Sequence, residues 1–181
     1  MYEEYESKMT KTVEALQNQY SAIRAGRANP SVLDQVKVEY YGTPTPINQI
    51  ASISTPDPRT LVIQPWDASS LKLIEKALNT SDLGIHPAND GRVLRLIFPQ
   101  PTEERRKELV KQVHKYAEES KIAIRNVRRD AVESFKAQKK TGEITEDDLA
   151  DTEKDLQKLT DKYIGEIDKV AGKKESEIKE I

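Results

Sequence analysis

Arg125, Arg128 and Arg129 stand within about one helical turn of one another, in a stretch from 103 to 140 that carries twelve bases and seven acids, a net of +5. A guanidinium presents a planar fork of donors that matches two phosphate oxygens at once, which the point charge of a lysine does not. Wound as a helix, the stretch gathers Lys107, Lys111, Lys121, Arg125, Arg128, Arg129, Lys136, Lys139 and Lys140 into one sector about 120° wide, interrupted between Lys107 and Lys140 only by Glu118. Leu109, Val113, Tyr116, Val127 and Ala131 fall outside that sector. Bases placed only for solubility are mixed with acids, as Asp155 is with Lys158, Asp161 with Lys162 and Glu166 with Lys169 further along. Sorted charge points instead to a polyanionic partner. With few aromatics nearby for stacking, the contact is expected with phosphates and backbone shape, as structured RNA offers. Arg24 and Arg27 join this surface if the end of the first helix lies beside the middle of the long one. The competing use of the same charge is internal: residues 141 to 181 hold thirteen acids and seven bases, a net of −6, and could offset the basic helix inside one packed body.

Other chemistry finds little support. Cysteine is absent, so there are no disulfides, thiolate metal sites or thiol nucleophiles. His86 precedes Pro87 in an expected loop and His114 lies between Val113 and Lys115 on the long helix, both placed as ordinary surface histidines. No glycine-rich phosphate loop, GxSxG or HExxH occurs. The acids Glu143, Glu146, Asp147, Asp148 and Asp151 lack the alternation and central glycine of a calcium loop and read as a solvated helix start. The expectation is a binding protein with no catalytic residue, metal or cofactor of its own. A helical scaffold, associating through its apolar stripes and indifferent to RNA, is the rival.

The elements that must hold these groups follow from composition and period. The 181 residues are 33% charged, 36% hydrophobic and 6% aromatic, which suits long solvated helices around a modest core. No apolar run approaches membrane-spanning length, and Met1-Tyr2-Glu3-Glu4 is acidic where a secretory leader would be basic, so a soluble, cytosolic protein is expected. Met9, Val13, Leu16, Tyr20 and Ile23 recur at helical spacing, and the helix stops near Gly26, before Asn29-Pro30. The period then changes. Val36 to Tyr40 alternates as a strand, residues 42 to 46 break it, Ile47 to Ser54 alternates loosely, and Thr60 to Ile63 reads as another strand. A short helix runs through Leu71, Ile74 and Leu78 from a cap at Ser69 or Ser70, and Asp90-Gly91 turns the chain into a strand over 92–98. Thr102 caps the long helix, which runs to about Lys140, and Thr145 with Asp148 forms a capping box for a third, carrying Leu149, Leu156, Leu159, Tyr163, Ile167 and Val170.

These readings give an α+β chain: a three-helix bundle from residues 1–29 and 103–181, with a β/α/β domain of residues 30–102 inserted between its first and second helices. Both crossings carry proline, at Ala28, Asn29 and Pro30 and at Pro99, Gln100 and Pro101. Two such crossings make either a hinge of limited freedom or a rigid spacer.

Five segments together resemble the bacterial ribosome recycling factor family: residues 23–31 (IRAGRANPS), 38–46 (VEYYGTPTP), 81–84 (SDLG), 102–107 (TEERRK) and 125–131 (RNVRRDA). They occur in order over essentially the whole length. The resemblance implies an elongated three-helix bundle joined through a hinge to a small β/α/β domain, in an L-shaped outline similar to transfer RNA. It implies a monomeric, non-enzymatic translation factor that binds the post-termination ribosome on large-subunit ribosomal RNA. Elongation factor G, using GTP, then drives the factor so that the subunits separate. By motif position, Arg24, Arg27, Arg106, Arg125, Arg128 and Arg129 correspond to the family's RNA-contacting arginines, and Lys121 joins them from the cationic sector. GTP belongs to the partner.

Overall fold

The computed structural model describes residues 1–23 and 26–181. In chain order the elements are α1 (Glu3–Ala22), β1 (Lys37–Tyr40), β2 (Thr43–Pro46), β3 (Ala51–Asp57), β4 (Thr60–Pro65), α2 (Leu71–Thr80), β5 (Ala88–Asn89), β6 (Leu94–Ile97), α3 (Glu103–Lys140) and α4 (Glu146–Lys179). They form two units, Met1–Arg24 with Thr102–Glu180, and Ala25–Pro101.

The first unit is the bundle of α1, α3 and α4. Each helix is too polar to fold around itself, and each buries one stripe against the other two. From α1 come Met9, Val13, Leu16 and Tyr20, from α3 Leu109, Val113, Ala117, Ile124, Ala131 and Phe135, and from α4 Leu149, Leu156, Tyr163, Ile167, Ala171 and Ile178. Steps of three and four residues keep each stripe facing inward over the length of the bundle. Two buried hydroxyls of this core are satisfied: Tyr20 donates to the Val113 carbonyl at 2.7 Å and Thr160 donates to the Leu156 carbonyl at 2.7 Å. Burial pushes the Tyr20 phenol up to about 12. The apolar stripes through which a scaffold would associate are buried inside the bundle.

The second unit packs α2 on an antiparallel sheet of order β3-β4-β6-β5, with the β1–β2 hairpin beside it. Alternation in β4 and β6 sends Leu61, Ile63, Leu94 and Leu96 inward, where Ile74 and Leu78 of α2 meet them with Val38 and Ile47. Two strands here depart from expectation. Residues 43–46 do not merely break β1; Tyr41-Gly42, both at positive φ, form a tight turn and the chain returns as β2. Pro44 and Pro46 are tolerated because β2 is an edge of a two-stranded ribbon. Ala88–Asn89 also pairs, with β6.

The inserted unit begins before residue 30. Ala28 donates its N–H to the Pro58 carbonyl at 2.7 Å, and the Asn29 side chain accepts from the Ser31 N–H at 3.0 Å, capping the 3-10 turn Pro30–Leu33. Gly26, at φ +77°, lies so close to the other crossing that a Cβ there would stand 3.0 Å from Pro101 Cδ and 3.2 Å from the Pro99 carbonyl oxygen. Ala28, Asn29, Pro30, Pro99, Gln100 and Pro101 fall within the bounds of this unit, with Gln100 exposed between the two prolines.

Candidate nucleic-acid interface

Helix α3 spans 38 residues, about 57 Å. Thr102 starts it by accepting the Arg105 N–H at 3.1 Å, and Glu103 and Glu104 sit in the first turn, where the helix dipole favours acids. Helix α4 starts at a capping box, Thr145 Oγ1 accepting the Asp148 N–H at 3.1 Å and Asp148 accepting the Thr145 N–H at 2.9 Å. These bonds hold the Asp148 carboxyl below its usual range.

Helices α3 and α4 run antiparallel, and the edge of the cationic sector meets a row of α4 side chains. Going up α3, His114 Nε2 lies 3.2 Å from Glu175, Lys121 Nζ 2.7 Å from Asp168, Lys136 Nζ 3.9 Å from Glu153 and Lys139 Nζ 3.6 Å from Glu146. Lys121 departs from expectation. Its side chain is only 17% exposed, it also contacts Glu118 at 3.3 Å, and the hydrogen bond to Asp168 raises its pKa above the ordinary lysine value despite opposing burial. It is a tie between helices and not a group presented outward.

The arginines are treated differently. Arg128 donates to Gln157 Oε1 on α4, and Arg129 donates to Asn126 Oδ1 one turn back on α3. Arg125 and Arg129 are exposed and Arg128 half-buried. Among the described residues, none of the three is paired with a carboxylate. They line a groove of about 660 Å³ together with Ile122 and Val132, which supply apolar surface, and with Glu133, Lys136 and Glu153. Neutral amides orient the guanidiniums without compensating their charge.

Among the described residues of the bundle, Arg106 does not line this groove. Arg106 is half-buried in the first turns of α3, Arg27 falls in the inserted unit, and Arg24 lies outside the described residues. Gln157 and Asn126 went unread in the sequence. An i to i+3 count links Asn126 to Arg129, whereas no local signal links Gln157 to Arg128, 29 residues apart.

Fold and surface together define a two-unit α+β protein whose concentration of uncompensated arginines, on the middle of one long helix, suits an anionic partner. Comparison with known proteins narrows the class. The ribosome recycling factor family matches residues 16–178. The chain is 60% identical to the ribosome-recycling factor of Caldicellulosiruptor saccharolyticus over 97% of its own length and 96% of the relative's. It is 54% identical to that of Clostridioides difficile over 100% and 98%. A solution structure of a ribosome recycling factor superposes with TM-score 0.68 at 42% identity, covering 99% of this chain and 96% of that one. A structure presenting models for the Thermus thermophilus ribosome recycling factor and Escherichia coli elongation factor G bound to the E. coli post-termination complex gives TM-score 0.59 at 49% identity, over 98% and 96%. This chain belongs to the ribosome recycling factor family.

Proposed function

We propose that this chain is a translation factor that binds the post-termination ribosome and, with elongation factor G and GTP, splits it into subunits. Messenger and transfer RNA are thereby released and the ribosome is reused. Family membership supports the role, and the relative from T. thermophilus is described on the post-termination complex beside elongation factor G. The observation that carries the RNA contact is the trio Arg125, Arg128 and Arg129, whose charges no carboxylate among the described residues neutralises. Phosphates of large-subunit ribosomal RNA supply that neutralisation. By motif position, Arg24, Arg27 and Arg106 are further contacts to the RNA.

The chain contributes binding and leverage, not a chemical step. It works as a cytoplasmic monomer without a cofactor, and the nucleotide is hydrolysed by the partner. No helix of the described residues is long and apolar enough to cross a membrane. The two proline-bearing crossings, Ala28-Asn29-Pro30 and Pro99-Gln100-Pro101, serve as the hinge on which the inserted unit turns as a body. A push on the inserted unit while the bundle is anchored on RNA becomes strain between the subunits.

The test is sedimentation of the protein with purified 70S ribosomes. Arg128→Glu together with Arg129→Glu abolishes binding and leaves helix content intact, because neither side chain belongs to the apolar core of the bundle. Undiminished binding of this double variant at moderate salt overturns the proposal. Binding by the unaltered chain weakens steeply as salt rises.

A further inference from the structure

Among the described residues, the α4 side chains Glu146, Glu153, Gln157, Asp168 and Glu175 make polar contacts across to α3. Four are carboxylates, and they meet Lys139, Lys136, Lys121 and His114. The one neutral side chain meets Arg128. Of these five contacts, the four to lysine or histidine use a carboxylate and the one to an arginine of the groove uses an amide.

Gln157 is itself held. Its Nε2 donates to Asp161 Oδ1, one turn further along α4, at 2.8 Å. A carboxylate can only accept and a guanidinium can only donate, so this bond fixes which way the amide points. The nitrogen faces Asp161 and the oxygen faces Arg128. The negative charge that steers the arginine is kept one residue removed from it. Gln157 is exposed and makes no contribution to the apolar core, so its contacts are with these two side chains and solvent.

We infer that Gln157 is a positioning residue for RNA binding: with Asp161 behind it, it orients the Arg128 guanidinium while leaving its charge available to a phosphate. The inference rests on the RNA-binding reading above. Removing the amide frees Arg128 to sample other rotamers but leaves its charge. Converting it to a carboxylate captures Arg128 in an internal ion pair that a phosphate must displace. The two changes therefore differ in the number of counterions released on binding, a quantity that a purely structural role would not alter.

The experiment measures ribosome affinity at several salt concentrations for the full-length wild type, Q157A, Q157E and the double variant R128E/R129E, with thermal unfolding and helix content recorded for each. For Q157E, affinity falls by about tenfold. The slope of log affinity against log salt becomes shallower by roughly 0.7 to 0.9, the equivalent of one phosphate contact. For Q157A, affinity falls by only a few-fold and the slope stays that of wild type. Wild-type affinity and slope in Q157E overturn the inference, as does an equal loss in Q157E and Q157A with no change of slope. If R128E/R129E binds like wild type, the RNA-binding reading itself fails, which separates that outcome from failure of Gln157 alone.

Discussion

An arginine serves a phosphate only while its charge is uncompensated, and α3 shows both conditions within two turns. Arg125, Arg128 and Arg129 meet neutral amides or solvent, whereas Lys121 is bound to Asp168 and Glu118. Helical periodicity made the arginines legible, because spacing alone gathers them on one sector. It misjudged Lys121 because a wheel treats every position in the sector as equally open, and Lys121 lies on the edge that borders α4. Lys121→Gln is therefore expected to leave ribosome affinity and its salt slope unchanged while lowering stability by up to about 1 kcal/mol, read from the urea midpoint. The sign with pH follows from the raised pKa. The stabilisation is fully present below the ordinary lysine value of 10.5 and is lost as pH rises through the higher folded value, so wild type and variant converge in strong alkali.

At the scale of elements, what terminates and starts each helix is local chemistry, and it was readable. Thr102 and the Thr145–Asp148 box both form as their residue types imply. Asp148 supplies a pH test. Its carboxyl is held below the usual 3.8 by accepting the Thr145 N–H and by the Thr145 hydroxyl, so its contribution is present above that value and is lost as pH falls through the folded one. Asp148→Asn should therefore lower the urea midpoint near pH 6, and the gap from wild type should close as pH falls below 3.8. A gap that stays constant over that range rules out the cap as its source. Strand β2 was not readable, since Pro44 and Pro46 speak against a strand unless it is known to lie at an edge. Edge position belongs to the sheet and not to the segment.

For the whole molecule, the decisive feature is that one chain builds two cores. The bundle closes around residues from both ends of the sequence, and the inserted unit closes around Leu61, Ile63, Ile74, Leu94 and Leu96 without them. Ile74→Ala leaves a cavity in the second core only and is expected to cost about 2 to 5 kcal/mol there. Hydrogen exchange should show amides of β4 and β6 losing protection while those in the middle of α3 and α4 keep theirs; equal loss in both units contradicts separate cores. The sequence by itself determined the helices and their caps, the interruption of the bundle, and the cationic sector, because apolar period, capping chemistry and charge order are properties of neighbours along the chain. Only the tertiary structure decided which cations stay uncompensated. That depends on the register of α4 against α3, which places carboxylates beside Lys121, Lys136 and Lys139 and an amide beside Arg128, and register is fixed by core packing between segments distant in sequence.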